Sequence, residues 1–311
     1  MKKPKNIALL GECMLELSGT ALGAMQQAYG GDTFNTAVYL ARCGGADFKV
    51  SYATALGDDA LSQQLEQCWA QDGLDLSLVR HIPGRMPGLY QIAVDAQGER
   101  HFSFWREHSA ARAYFDTDVT PLEQHSSEWD AFYFSGISLA ILPPDGRARV
   151  FALARELRAR GALVVFDNNY RPRLWPDIEV ARQAFTQAFS LAHTLLITAD
   201  DHQALFGFKD MEAALTEAQA LEAPELVIKR GASETLVRTE GAWTGVRTVA
   251  VPQVVDTTAA GDSFAAGYLS QRLRGAAPDV AAAFGNRLAA RVIQHPGAII
   301  PMAAMQDLLP A

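Results

Sequence analysis

Residues 7–10, 50–54, 132–135, 163–167, 194–197 and 226–229 form short runs rich in β-branched and aromatic side chains, apolar on both faces of any strand they make. Between several of them lie segments 59–71, 147–160 and 179–192, whose apolar residues recur at three- and four-residue intervals, the period of an amphipathic helix. A strand apolar on both faces needs cover on both, and a parallel sheet obtains that cover from its own crossover helices. The alternation therefore predicts an α/β fold: a doubly wound, mostly parallel sheet with helices on both faces. Two stretches break the rhythm. Residues 14–18 and 88–105 alternate imperfectly between apolar and polar, and the second reads as a hairpin turning at Asp95-Ala96-Gln97-Gly98. Strands within 12–30 and 86–107 are expected to form a small β-sheet projecting from the main body, either as a lid over a ligand or as an ordinary surface hairpin. No repeat, low-complexity tract or Pro/Ser-rich linker divides the chain, so residues 1–311 are expected to form one domain carrying that lid.

Charge and cysteine usage narrow the function classes. The formal net charge is -8 with both signs scattered, whereas a nucleic-acid surface would need a Lys/Arg patch. The longest apolar stretch, residues 131–142, is too short for a bilayer span and is interrupted by Ser135, Gly136 and Ser138. The first apolar run ends at Gly11-Glu12, too soon for a signal-peptide core. Three scattered cysteines, Cys13, Cys43 and Cys68, suit a reducing compartment, and a cytoplasmic protein is expected.

The chemistry concentrates in Asp256-Thr257-Thr258-Ala259-Ala260-Gly261-Asp262-Ser263-Phe264, which leads into a helical pattern running to about Leu273. Small residues before a helix let backbone N–H groups approach a phosphate closely. Asp262 falls in the first helical turn, where its carboxylate either complements the helix dipole or accepts the proton of an attacking hydroxyl. A second segment, Gly30-Gly31-Asp32-Thr33-Phe34-Asn35, precedes the helical stretch 36–42 and either brings chain close to a ligand or places an N-cap at Asp32.

These two segments, in this order, resemble the signatures of the ribokinase-like (PfkB) carbohydrate kinases, whose C-terminal motif reads D-T-x-G-A-G-D-x-F. Asp256, Thr257, Ala260, Gly261, Asp262 and Phe264 match it, and Ala259 stands in place of the first glycine, which requires a negative φ there. Within the family the chain is most similar to the 2-keto-3-deoxygluconate kinases, through segments 11–17, 87–90, 135–142, 167–175 and 256–264.

The resemblance implies ATP and Mg²⁺ as cofactors and a small sugar acid as substrate. Asp262 is implied as the base, with Ala259, Ala260 and Gly261 forming the anion loop. Gly30, Gly31, Asp32, Asn35, Tyr90, Phe104, Arg106 and Arg171 are implied around the sugar acid, Phe104 lacking a hydroxyl that many relatives have. A guanidinium pairs with a carboxylate in a fork that a lysine cannot match, although Arg173 competes with Arg171 for that place. On the nucleotide side the resemblance implies Thr198, Lys229, Gly231 and, at the adenine rim, Asn286, with Asp201 reaching Mg²⁺ through water. No G-x-x-x-x-G-K-[ST] loop occurs in the chain. Exposed lid edges would be covered in a homodimer. Two other readings stay open: a kinase of fructose or 5-keto-2-deoxygluconate, and a non-catalytic sugar-acid sensor on the same scaffold.

Overall fold

A computed structural model describes residues 3–20, 22–94 and 100–309. The main sheet has nine strands: β1 (Lys5–Leu10), β4 (Phe48–Leu56), β5 (Val79–His81), β8 (Ala131–Ser135), β9 (Leu163–Asp167), β10 (Thr194–Thr198), β11 (Glu225–Lys229), β12 (Thr235–Thr239) and β13 (Ala242–Val246). Their order is β13-β12-β11-β10-β9-β8-β1-β4-β5. From β11 to β5 every pairing is parallel, and the β12–β13 hairpin, which the sequence pattern does not announce, adds an antiparallel edge.

Side chains of successive strand residues point to opposite faces, and both faces are covered. Ile7 and Leu9 pack with helices α1 (Asp32–Gly44), α2 (Ala60–Gln71), α9 (Ala260–Leu273) and α10 (Pro278–Val292). Ala8 and Leu10 pack with the opposite layer, which contains α4 (Gly136–Ile141), α5 (Pro144–Ala159), α6 (Ile178–Leu191), α7 (Ala199–Phe206) and α8 (Met211–Ala220). The short α3 (Pro121–Gln124) begins at a Thr120–Glu123 capping box. Aspartates start several helices: Asp59 accepts from Leu61 N and Ser62 N at 3.0 and 3.1 Å, and Asp177 from Val180 N at 2.9 Å. Helices α9 and α10 approach closely because Gly267 faces Gly285, where a Cβ would stand 3.0 Å from the Gly285 Cα.

The lid sheet contains β2 (Met14–Gly19), β3 (Met25–Gly30), β6 (Gly88–Val94) and β7 (Arg100–Trp105), in the order β3-β2-β6-β7. Its segments fall within the two expected stretches, and the expected turn at Asp95-Ala96-Gln97-Gly98 lies outside the described residues. Trp105 is 56% exposed on this sheet, whereas Trp175 is buried against Phe185. The helix expected at 36–42 starts earlier, at Asp32; its N-cap is Gly31, and the Asp32 side chain is occupied elsewhere. The chain leaves β1 for β4 on one side and later returns to β8 on the other. Strand order thus reverses at β1, and a crevice forms at the carboxyl ends of the strands, where open α/β sheets bind ligands.

Candidate active site

A cleft of about 460 Å³ lies at that strand edge, between the main sheet and the lid. Its floor comes from strand ends: Glu12 just beyond β1, Asp167 closing β9, Thr198 closing β10 and Lys229 closing β11. Its wall comes from the N-termini of α1 and α9, which bring Asp32, Asn35, Gly261 and Asp262 together. Tyr90, Phe102, Phe104 and Arg106 reach it from the lid, where the two-residue strand period sets Phe102 and Phe104 on one face with ring centroids 6.3 Å apart.

Asp262 stands in the first turn of α9, and the helix ends at Leu273 as the sequence pattern indicates. Its Oδ2 accepts a hydrogen bond of 2.8 Å from Asn35 Nδ2, so the two segments singled out in the sequence meet through their polar side chains. Burial pushes the Asp262 carboxyl well above the usual carboxylate range, and the neighbouring Asp32 adds to the rise. The Asn35 amide opposes both. Such a group is a stronger proton acceptor than a solvated carboxylate once ionised. Ala259 caps the helix at φ -113°, a conformation a methyl group tolerates, so replacing the first glycine of the motif costs no backbone strain. Asp256 organises the loop before it, accepting from Thr258 N at 3.0 Å and from Gly297 N at 3.2 Å. Ala259 is fully buried and the Ala260 N–H turns back to Thr257 O at 3.2 Å. The loop's cleft wall is therefore Thr257, Thr258, Gly261 and Asp262, not the two alanines.

Every cation lining the cleft already has a carboxylate partner among the described residues. Lys229 Nζ donates to Asp167 Oδ2 at 2.9 Å and Oδ1 at 3.1 Å, and it approaches the α9 loop, lying 3.5 Å from the position of a Cβ on Gly261. Arg106 pairs with buried Glu12. Arg171, whose side chain is half exposed, pairs with Asp201 at 3.2 Å. Burial raises the Asp201 carboxyl above its usual value, and Arg171 holds it down. Arg171 lines the cleft and Arg173 does not, which separates two arginines that the sequence leaves equivalent. Neutral groups are held the same way. Tyr90 donates to Glu16 at 2.5 Å, and burial followed by that bond raises its hydroxyl above the usual tyrosine value. Asp32 accepts from Ser135 at 2.5 Å and from Asn169 at 3.1 Å, and burial raises its carboxyl. The backbone of Thr198 is clamped by Asn168, with bonds of 2.7 and 3.1 Å.

Gly30 and Gly31 line the cleft, and Gly31 admits no side chain: a Cβ would meet the Glu12 carbonyl oxygen at 2.0 Å. Two residues expected around the nucleotide are not brought to the cleft. Asn286 is buried with both ends of its amide engaged, accepting from Thr235 Oγ1 at 3.0 Å and donating to Arg247 O at 3.1 Å. It ties α10 to the edge hairpin. Gly231 turns the chain from β11 to β12 at φ +57°, away from the cleft lining. The residues that sequence reasoning leaves out include Glu12, Glu16, Phe102, Ser135, Asp167 and Asn169. The signal for Glu12 and Asp167 is a carboxylate at or just past the end of a strand apolar on both faces, where only a site or an ion pair explains it.

Residues 4–305 match the pfkB family carbohydrate kinases. The chain is 44% identical over 306 residues to the 2-dehydro-3-deoxygluconokinase of Dickeya dadantii (strain 3937), covering 97% of this chain and 98% of that protein. It is 43% identical over 306 residues to the enzyme of the same name from Escherichia coli (strain K12), covering 97% and 99%. Among solved structures, fructokinase with bound ATP from Xylella fastidiosa matches with a TM-score of 0.80 at 25% identity, over 97% of each chain. With both family signatures meeting at Asn35 and Asp262 in the cleft, and with the match running nearly end to end, the chain belongs to the pfkB family of carbohydrate kinases.

Proposed function

We propose that this kinase transfers the γ-phosphoryl group of ATP to the terminal hydroxyl of 2-keto-3-deoxygluconate, giving 2-keto-3-deoxy-6-phosphogluconate. The relatives named for that reaction are 40–44% identical over nearly their whole length. The observation that carries the mechanism is the Asn35–Asp262 bond at the N-terminus of α9, in the same cleft as two arginines suited to a carboxylate.

In this reading the substrate hydroxyl lies against Asp262, its oxygen attacks the γ-phosphorus and the bond to the bridging oxygen of ADP breaks. The hydroxyl proton passes to the ionised Asp262 carboxylate. Asn35 orients that carboxylate and keeps its pKa from rising further. The positive end of α9 and the Lys229 ammonium stabilise charge spread over the transferring group. Arg106 and Arg171 hold the acid end, and the aromatic face of Tyr90, Phe102 and Phe104 closes over the sugar and excludes water. The oxygen donors here suit Mg²⁺, which binds through one or two carboxylates and keeps the rest of its shell as water and phosphate oxygens. Asp201, already hydrogen bonded by Arg171, would hold it through water. When bound, Mg²⁺ neutralises charge on the ATP phosphates.

A cytoplasmic location belongs to the same reading, supported by three cysteines that are all free. So does a homodimer joined through the lid, supported by the edge positions of β3 and β7; light scattering of the purified protein tests it.

The deciding experiment measures ADP release with Mg-ATP and 2-keto-3-deoxygluconate, gluconate or fructose, using Asp262→Asn as control. Preference for the keto acid, lost in the variant, is expected. Turnover of fructose instead would refute the substrate, and tight binding of the acid without turnover would refute the reaction.

A further inference from the structure

Glu12 follows β1 of the main sheet and Arg106 follows β7 of the lid, so their ion pair joins the two bodies across the cleft wall. The Glu12 side chain is 1% exposed and that of Arg106 is 11% exposed. The pair is incompletely satisfied. Glu12 Oε1 and Arg106 Nε are both buried without a hydrogen-bond partner. Both atoms are closed to solvent, so a ligand in the cleft would meet the guanidinium at its other N–H groups, and a carboxylate suits that fork. The pair also has a dedicated space. Gly88, the first residue of β6, packs against it, and a Cβ there would stand 2.8 Å from Glu12 Oε1 and 3.2 Å from the Arg106 Cβ. Gly88 is not in the left-handed region, so room for this pair, not backbone conformation, is what the position requires of a glycine.

We propose that Glu12 is a positioning residue for the acid end of the substrate: it fixes the Arg106 guanidinium, in the space left by Gly88, so that the N–H groups not engaged with Glu12 or buried beside it meet the substrate carboxylate. The inference rests on the reading of Arg106 given above. Without Glu12 the long arginine side chain would have to be ordered at the moment of binding, and its charge would be buried unpaired in the free enzyme. The sign of the effect is diagnostic. A negative charge beside the site repels an anionic substrate, so an effect through the field alone would make removal of Glu12 lower KM. Positioning requires the opposite.

The test compares Glu12→Gln, Gly88→Ala, Arg106→Met and the double variant Glu12→Gln/Arg106→Met, by steady-state kinetics with the keto acid and, separately, with Mg-ATP. Gly88→Ala alters no charge and disturbs the pair only by crowding it. Expected for Glu12→Gln and Gly88→Ala is a rise of about fivefold or more in KM for the keto acid, with kcat and the KM for ATP held within about twofold. In the Arg106→Met background, Glu12→Gln should give no further rise in KM, because positioning acts through the residue already removed and only relief of charge repulsion is left. A fall in KM, an unchanged KM in both single variants, or effects that multiply in the double variant would overturn the proposal while leaving the role of Arg106 intact. An Arg106→Met variant with unchanged KM for the acid would instead refute the reading of Arg106 on which the proposal stands.

Discussion

Replacing Asn35 with leucine removes the one side-chain hydrogen bond that, among the described residues, holds the Asp262 carboxylate in its charged form, while keeping a side chain of similar bulk at a position 3% exposed. Asn35 donates at 2.8 Å to a buried acceptor, a charge-assisted bond that contributes about 1.5–3 kcal/mol. The bond favours only the ionised form, so its loss raises the Asp262 pKa further. Asp262 must be ionised to accept a proton, and burial already lifts it above the usual range. Activity is therefore present above this pKa and lost as pH falls through it. In Asn35→Leu the acid limb of the pH profile moves to higher pH. The quantity to follow is kcat/KM for the sugar acid at saturating Mg-ATP, which reports the essential base before the acid binds. The substrate carboxyl is ionised throughout that range and does not interfere. Asn35→Asp extends the series, since a second carboxylate in the same place should move the limb further in the same direction. A limb that stays in place in both variants, or that moves to lower pH, would refute the role of Asp262 as base and of Asn35 as its regulator.

Asp262→Asn is expected to lower kcat by about a hundred- to ten-thousandfold, the contribution of a general base. It should also raise Tm. A carboxyl with a raised folded-state pKa favours the native state below its unfolded pKa and loses that contribution as pH rises through the folded value, so the gain in Tm should shrink on acidification. Lys229→Met leaves Asp167 buried and unpaired, and thermal unfolding should show a loss of about 3–5 kcal/mol together with a raised KM for ATP. Asp167→Leu added to Lys229→Met should restore much of the stability but none of the ATP affinity. Arg171→Ala removes a half-exposed guanidinium from the more buried Asp201 and should change stability by about 1 kcal/mol while raising KM for the acid; Arg173→Ala should leave that KM unchanged. Gly31→Ala forces a methyl into the Glu12 carbonyl and should destabilise the fold by about 1–3 kcal/mol or more, read from urea unfolding.

The fold was largely legible because its signals are local. Strand runs apolar on both faces and helices of regular period lie within single windows of sequence, and the bounds of β9 and the end of α9 agree with the pattern residue for residue. The β12–β13 hairpin was not legible: residues 242–246 include Trp243 and Thr244 on an exposed edge strand, with no buried face to impose alternation. The same distinction runs through the site. Asp262, Asn35, Arg106, Arg171 and Lys229 carry recognisable local contexts. What binds each of them does not, because the partners are distant in sequence: Asn35 meets Asp262 across 227 positions, Arg106 meets Glu12 across 94, and Lys229 meets Asp167 across 62.

That difference changes what the site is. A list of donors describes a positive pocket waiting for anions, yet among the described residues the cleft is lined by six acids, Glu12, Asp32, Asp167, Asp200, Asp201 and Asp262, against three cations, Arg106, Arg171 and Lys229. A cleft of that balance does not attract a sugar acid and ATP by net charge. It selects them by geometry, because each cation is held by a carboxylate in one orientation and offers only its remaining N–H groups. The acids carry two further consequences. Crowded and buried, Asp32 and Asp262 are pushed towards protonation, which lowers the negative charge an incoming anion meets. And because Arg106 and Lys229 are largely buried and would be costly unpaired, Glu12 and Asp167 hold them in place of a ligand. Specificity for an acid then resides as much in residues that never touch the substrate as in those that do, and this is why single substitutions at Glu12, Asp167 or Asn35 should alter binding, stability and pH dependence as separable effects.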